Sequence, residues 1–114
     1  MDVLRYAFRS KALSDRPGIQ KTNMAQYQAP NIVKHTDLTG TDGYAYIYYS
    51  NGEESLNYKE NLTFTKFQGL QLLPPFTGQQ TCEITLPPSG EEFVILKISG
   101  AWGLNYKLNM KIYP

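Results

Sequence analysis

The side chains able to make or break a bond are few in this chain, and their placement narrows the chemistry open to it. One cysteine, Cys82, and one histidine, His35, are the only residues from which a thiolate–imidazole dyad could be assembled. A catalytic thiol needs an electropositive setting that lowers its pKa. Cys82 instead alternates with Glu83 and Thr85 on the apolar side of the segment 81–86, the pattern of a small buried residue. His35 sits in a polar stretch at no catalytic spacing from it. No Gly-rich phosphate loop, paired-histidine metal motif or Gly-x-Ser-x-Gly elbow occurs. A single Cys and a single His also exclude a disulfide scaffold and an ordinary zinc site within the chain.

Other constellations are weaker still. Calcium asks for several clustered carboxylates. Glu53-Glu54 and Glu91-Glu92 each follow an expected turn, where they could line one end of a β-fold, but residues 43–114 contain no Asp. Adjacent glutamates at a turn read as solvated surface, so neither metal nor cofactor is expected. Tyr44, Tyr46 and Tyr48 share one face by period 2 and could stack on bases if exposed. Residues 43–114 carry a net charge of −1, which supplies no phosphate-tracking field. The tyrosines therefore read as core residues whose hydroxyls reach water or a partner at the edge. Leu73-Pro74-Pro75 and Leu86-Pro87-Pro88 read as strand terminators rather than polyproline ligands. Asn61-Leu62-Thr63 matches a glycosylation acceptor and reads as strand sequence.

The whole chain of 114 residues has 41% hydrophobic and 18% charged residues and a net charge of +1. That balance argues against a dedicated nucleic-acid binder, and no apolar run is long enough to span a membrane. The distribution is uneven. Residues 1–42 hold a net charge of +2, and from 14 to 43 their apolar residues are scattered without a period of 2 or 3.6. This half reads as an extended basic arm. It could begin with a short helix, where Leu4 and Phe8 lie four apart, but Asp2 and Asp15 count against a cleaved mitochondrial leader. An arm of this polarity cannot repay its ordering entropy by its own burial, so a partner surface is expected to hold it.

Residues 43–114 read as one β module. Period-2 or apolar runs at 43–50, 61–67, 70–73, 81–86, 93–99 and 104–112 are bounded by turn residues, Asn51-Gly52 among them. The last is the clearest: Leu104, Tyr106, Leu108, Met110 and Ile112 alternate with Asn105, Lys107, Asn109 and Lys111. A strand puts those five apolar residues on one face, whereas a helix scatters them. The fold class that follows is all-β, an antiparallel β-sandwich, with one further strand drawn from 31–37 of the arm.

Residues 43–114 also resemble the C2-like β-sandwich of calpains, their domain III, and in particular small calpain-like proteins of protists. The resemblance is carried by Tyr48-Tyr49-Ser50-Asn51, Asn61-Leu62-Thr63-Phe64-Thr65, Gly69-Leu70, the 82–86 strand, and Pro88-Ser89-Gly90-Glu91-Glu92 leading into Phe93-Val94-Ile95-Leu96-Lys97. It implies an eight-stranded antiparallel sandwich used for interaction, regulation or membrane contact, often near cytoskeleton or flagellum. The protease core of that family is absent, and its acidic calcium loop has no counterpart here. The expectation is a non-enzymatic structural or adaptor subunit of a larger intracellular assembly, cytoskeletal or ciliary by preference. In that reading Arg5, Arg9, Lys11 and Arg16 meet acidic patches of partner proteins while Tyr6, Phe8 and Tyr27 anchor. The rival readings are a calcium- or phospholipid-responsive C2-like module and a ribonucleoprotein subunit, although neither calcium nor nucleic acid is expected as a partner.

Overall fold

Asp2 opens the one α-helix among the described residues. Its carboxylate accepts from the Arg5 N–H at 2.9 Å, satisfying one of the donors left free at the start of α1 (Val3–Ala12). The computed structural model describes residues 2–114. After α1 come β1 (Gln20–Met24), β2 (Ala29–Asp37), β3 (Tyr44–Asn51), β4 (Asn57–Leu72), β5 (Thr81–Leu86) and β6 (Glu91–Tyr113). Every pairing is antiparallel, and the strands join in one sheet of order β1-β2-β3-β6-β4-β5. The antiparallel all-β class read from the sequence is present, with its two Leu-Pro-Pro segments ending β4 and β5.

The sheet folds over on itself. Along a flat sheet β2 and β4 would stand about 14 Å apart, three strand spacings. Lys34 of β2 nevertheless meets Glu60 of β4 at 2.9 Å. The inner faces of the two halves thus share one core, filled by Ile32, Ile47, Tyr49, Tyr58, Leu62, Ile84, Val94 and Leu96 among others. The fold is possible because β4 and β6 are long and bent. Their register shifts between Phe64 and Lys66 and again between Gln68 and Leu70. Gly69 lies there at φ +67°, against the Ala101 carbonyl, where a Cβ has no room. The bulges carry the ladder through, so 61–67 and 70–73 belong to one strand, as do 93–99 and 104–112.

A second, smaller core lies on the outer face of β3, and it corrects the reading of residues 1–42. The apolar stripe Leu4, Phe8 and Ala12 of α1 packs on Tyr44, Tyr46, Tyr48, Phe93 and Ile95. The Phe8 ring centroid is 4.4 Å from that of Tyr46 and 5.5 Å, edge-on, from that of Tyr44. The tyrosine row is therefore core, as expected, but the N-terminal helix is what covers it. Farther along, β1 pairs with β2 from Gln20↔Thr36 to Met24↔Ala29, and β2 pairs with β3. The strand expected from 31–37 lies inside β2. Residues 3–37 are built into the fold rather than extended from it. The signal was missed because Gln20–Asn23 is exposed throughout and is held by backbone hydrogen bonds, which leave no apolar period in a sequence.

Candidate functional site

The residues nominated for partner contact scatter once folded. Phe8 is 1% exposed in the small core, so it anchors the chain's own helix rather than a partner. Two of the cations pair with acids distant in sequence: Arg9 Nη1 lies 3.3 Å from Glu91 Oε1, and Lys11 Nζ lies 2.6 Å from Asp42 Oδ2. Burial alone would raise the Asp42 carboxyl, but the Lys11 ammonium and the Tyr44 N–H outweigh it and hold it below its usual value. Arg5 donates to the Pro74 carbonyl at 2.8 Å and stands 3.7 Å from Asp2. Tyr6, Arg16 and Tyr27 remain exposed, Tyr6 with the Arg9 guanidinium 5.8 Å above its ring. The acidic patches that these cations were expected to find on a partner are, for Arg9 and Lys11, on β6 and the loop before β3.

The bond-making candidates also take ordinary places. Cys82 is fully buried on β5, and burial, with Glu92 nearby, pushes its thiol up to about 11. A thiol that stays protonated at neutral pH is a poor nucleophile. His35 is buried on β2, stacked on Tyr48 with ring centroids 5.9 Å apart, and its Nδ1 has no hydrogen-bond partner among the described residues. Burial, and then the Lys21 ammonium, lower its pKa against a smaller pull from Asp15. The turn glutamates do share one end of the fold, since Ser89 N–H donates to the Asn51 carbonyl. Three of the four are engaged: Glu53 accepts from Asn31 N–H, Glu91 from Tyr48 Oη and Arg9, and Glu92 from Phe93 N–H.

The inner face carries a polar group the sequence reading passed over. Glu60 is 0% exposed and accepts from Lys34 Nζ at 2.9 Å, from Tyr58 Oη at 2.6 Å and from Tyr49 Oη. The Lys34 ammonium also lies 5.2 Å from the Tyr49 ring centroid. Burial first, then the Glu60 charge, pushes both tyrosine hydroxyls well above their ordinary pKa, so they stay donors. The signal was available. Glu60 interrupts the inward row Tyr58, Leu62, Phe64, and Lys34 falls in line with Ile32; a charge at core parity needs a buried partner.

That pair forms the floor of a groove between β1 and β6. Met24 and Tyr27 stand on one wall, Tyr106, Leu108 and Met110 on the other, around about 300 Å³ of space. A wider hollow of about 710 Å³ continues it toward the C-terminus, lined by Gln26, Tyr27 and the consecutive residues 110–114. Consecutive residues line a hollow when a strand presents its edge rather than a face. β3 pairs with β6 only over 91–97, and the last bond on that side runs from Ile98 N–H to the Gly43 carbonyl. Beyond it, 103–113 pair with β4 alone among the described residues. The other flank of this long stretch is open, and beside it Tyr106 and Leu108 are 37% and 39% exposed. The apolar row expected to cover a core does so on one side only.

The groove, the open β6 edge and the buried pair beneath it are the features around which a function can be argued, and no family model, no curated protein and no solved structure matches the chain.

Proposed function

We propose that this chain is a non-enzymatic structural or adaptor subunit of a larger assembly, and that it docks another protein along the open edge of β6. The observation that carries this reading is the run 103–113, paired on one side only among the described residues, next to half-exposed Tyr106 and Leu108. An unpaired edge offers a row of backbone donors and acceptors and templates the addition of a further strand. Monomeric proteins usually shorten or cover such edges, whereas here the edge is long and its inward row is apolar throughout, with lysines only on the outward row. A place in an intracellular, cytoskeletal or ciliary assembly belongs to the same proposal. It is supported by the exposed cations Arg16 and Lys21 on the β1 side, which suit an acidic filament surface. Among the described residues no helix is long and apolar enough to cross a membrane. Kinship with the calpain β module is part of the proposal at the level of a mostly antiparallel fold.

The test is the native size of particles containing the full chain, compared with a Tyr106→Lys/Leu108→Lys variant whose charges disfavour strand addition. The wild-type chain should migrate within a larger particle, and the variant, folded by circular dichroism, should migrate alone. A free monomer from native extracts, or a variant that stays in the particle, refutes the reading.

A further inference from the structure

We propose that the open edge of β6 takes an extended segment of a partner protein in which apolar side chains alternate with polar ones, two of the polar ones being acidic and four residues apart. The inference rests on the edge-docking reading above and adds the chemistry of the occupant. A strand laid against β6 sends alternate side chains to opposite faces. Its inward residues enter the groove between Tyr106, Leu108 and Met110 on one side and Met24 and Tyr27 on the other, which requires apolar groups. The cation nearest that groove, Lys34, is already neutralised by Glu60, so nothing on the floor calls for a charged side chain.

The outward residues of the added strand meet a different surface. They stand beside Asn105, Lys107, Asn109 and Lys111, whose outward direction follows from their alternation with Leu104, Met110 and Ile112, which pack on the core, and from the pairings Thr63↔Lys107 and Lys59↔Lys111. Lys59 lies directly opposite Lys111 and is paired with Glu83 at 3.2 Å. Lys107 and Lys111 form no ion pair among the described residues. Like charges facing across a ladder repel and opposite charges attract. Acidic side chains on the added strand, spaced to meet 107 and 111, therefore complete a surface that is otherwise cationic. The same charge count disfavours a second copy of β6 at the edge, because that strand brings two more lysines and no acid. The groove runs from Tyr106 to Pro114, a length of about 27 Å for extended chain, which suits a segment of this kind.

The experiment uses the full chain and three fluorescein-labelled, capped peptides: Glu-Val-Thr-Ile-Glu-Val-Thr, and the same peptide with Gln or Lys in place of Glu. Anisotropy titrations at low and high salt are combined with amide exchange of residues 104–112. The acidic peptide should bind about tenfold more tightly than the lysine peptide, the scale of two exposed pairs turned from attraction to repulsion. The preference should shrink with salt, the β6 amides should gain protection, and the Lys107→Glu/Lys111→Glu variant should reverse the order. Equal binding of all three peptides overturns the acidic preference and leaves edge docking in place. Binding of none, with a native particle that still depends on Tyr106 and Leu108, does the same. Binding of none, with a particle indifferent to those residues, overturns both. Concentration-dependent dimers whose β6 amides are protected without peptide give the edge to a second copy and overturn the inference.

Discussion

Glu60→Gln removes one charge and almost no volume, yet it should be among the most damaging changes in the chain. Glu60 is fully buried and holds three donors, and Lys34, 8% exposed, has no other carboxylate within reach. The two tyrosine hydroxyls can turn to a glutamine oxygen, but the ammonium is left in the interior without a counter-ion. Breaking a buried pair from one side costs about 3–5 kcal/mol, because the surviving charge keeps its desolvation penalty. The unfolding entropy of a chain this long is about 0.24 kcal/mol per degree near its midpoint, so Tm should fall by about 12–20 °C. Lys34→Met in the same background removes the orphaned charge. The double variant should recover to within about 2 kcal/mol of the parent; with each single costing about 3–5 kcal/mol, the coupling energy is then at least about 4 kcal/mol. Urea unfolding of the four proteins, with Tm by circular dichroism, measures each leg of the cycle. A Glu60→Gln cost below about 1 kcal/mol, or a double variant equal to the sum of the singles, would refute the reasoning that the pair is desolvated and mutually dependent.

Phe8→Ala should cost about 3–5 kcal/mol by opening a cavity over Tyr44 and Tyr46; a loss under about 1 kcal/mol in urea unfolding would return residues 1–42 to the status of a loose arm. His35 has a pKa lowered below 6.5 in the folded chain, so the unfolded chain binds the proton more readily, and stability should fall as pH drops below about 6.5. The fall ends where folded His35 also titrates, and His35→Gln should flatten that segment of a Tm–pH profile while leaving the carboxylate losses at lower pH. Native Cys82 should resist iodoacetamide at pH 8 and react once the protein is denatured, since its thiol is buried and pushed up to about 11. Gly69→Ala should destabilise by more than the roughly 1–2 kcal/mol that a left-handed conformation alone costs, because the new Cβ also meets the Ala101 carbonyl.

Much of the β-structure was legible because antiparallel strands write a period of 2 wherever one face is buried. The apolar parity of Cys82, Ile84 and Leu86 marks β5 to the residue, and Asn51-Gly52 marks the turn after β3, where the Asn51 amide bridges the Leu56 and Leu86 carbonyls. The joins were harder to see. Gly69 and Gly100 look like breaks between strands, but a positive φ at a bulge bends a ladder without ending it. The outer-face role of α1 was hidden for another reason. Its stripe of Leu4, Phe8 and Ala12 is too short to stand as a helix alone, and its stability comes from a tyrosine row some forty residues away.

Local sequence by itself determined that the chain is β-rich, that Cys82 faces inward, that Tyr44, Tyr46 and Tyr48 share a face, and that the last strand alternates apolar and polar. These are properties of a residue and its near neighbours. Which strand lies beside which was decided only by the tertiary structure. The bend of β4 and β6 brings Lys34 against Glu60 across a distance no local pattern encodes. The same bend carries β6 past the end of β3 and leaves its far half paired on one side. The partner-facing surface therefore moved from the N-terminal cations, two of which the fold neutralises with its own acids, to a strand edge that alternation alone reads as buried.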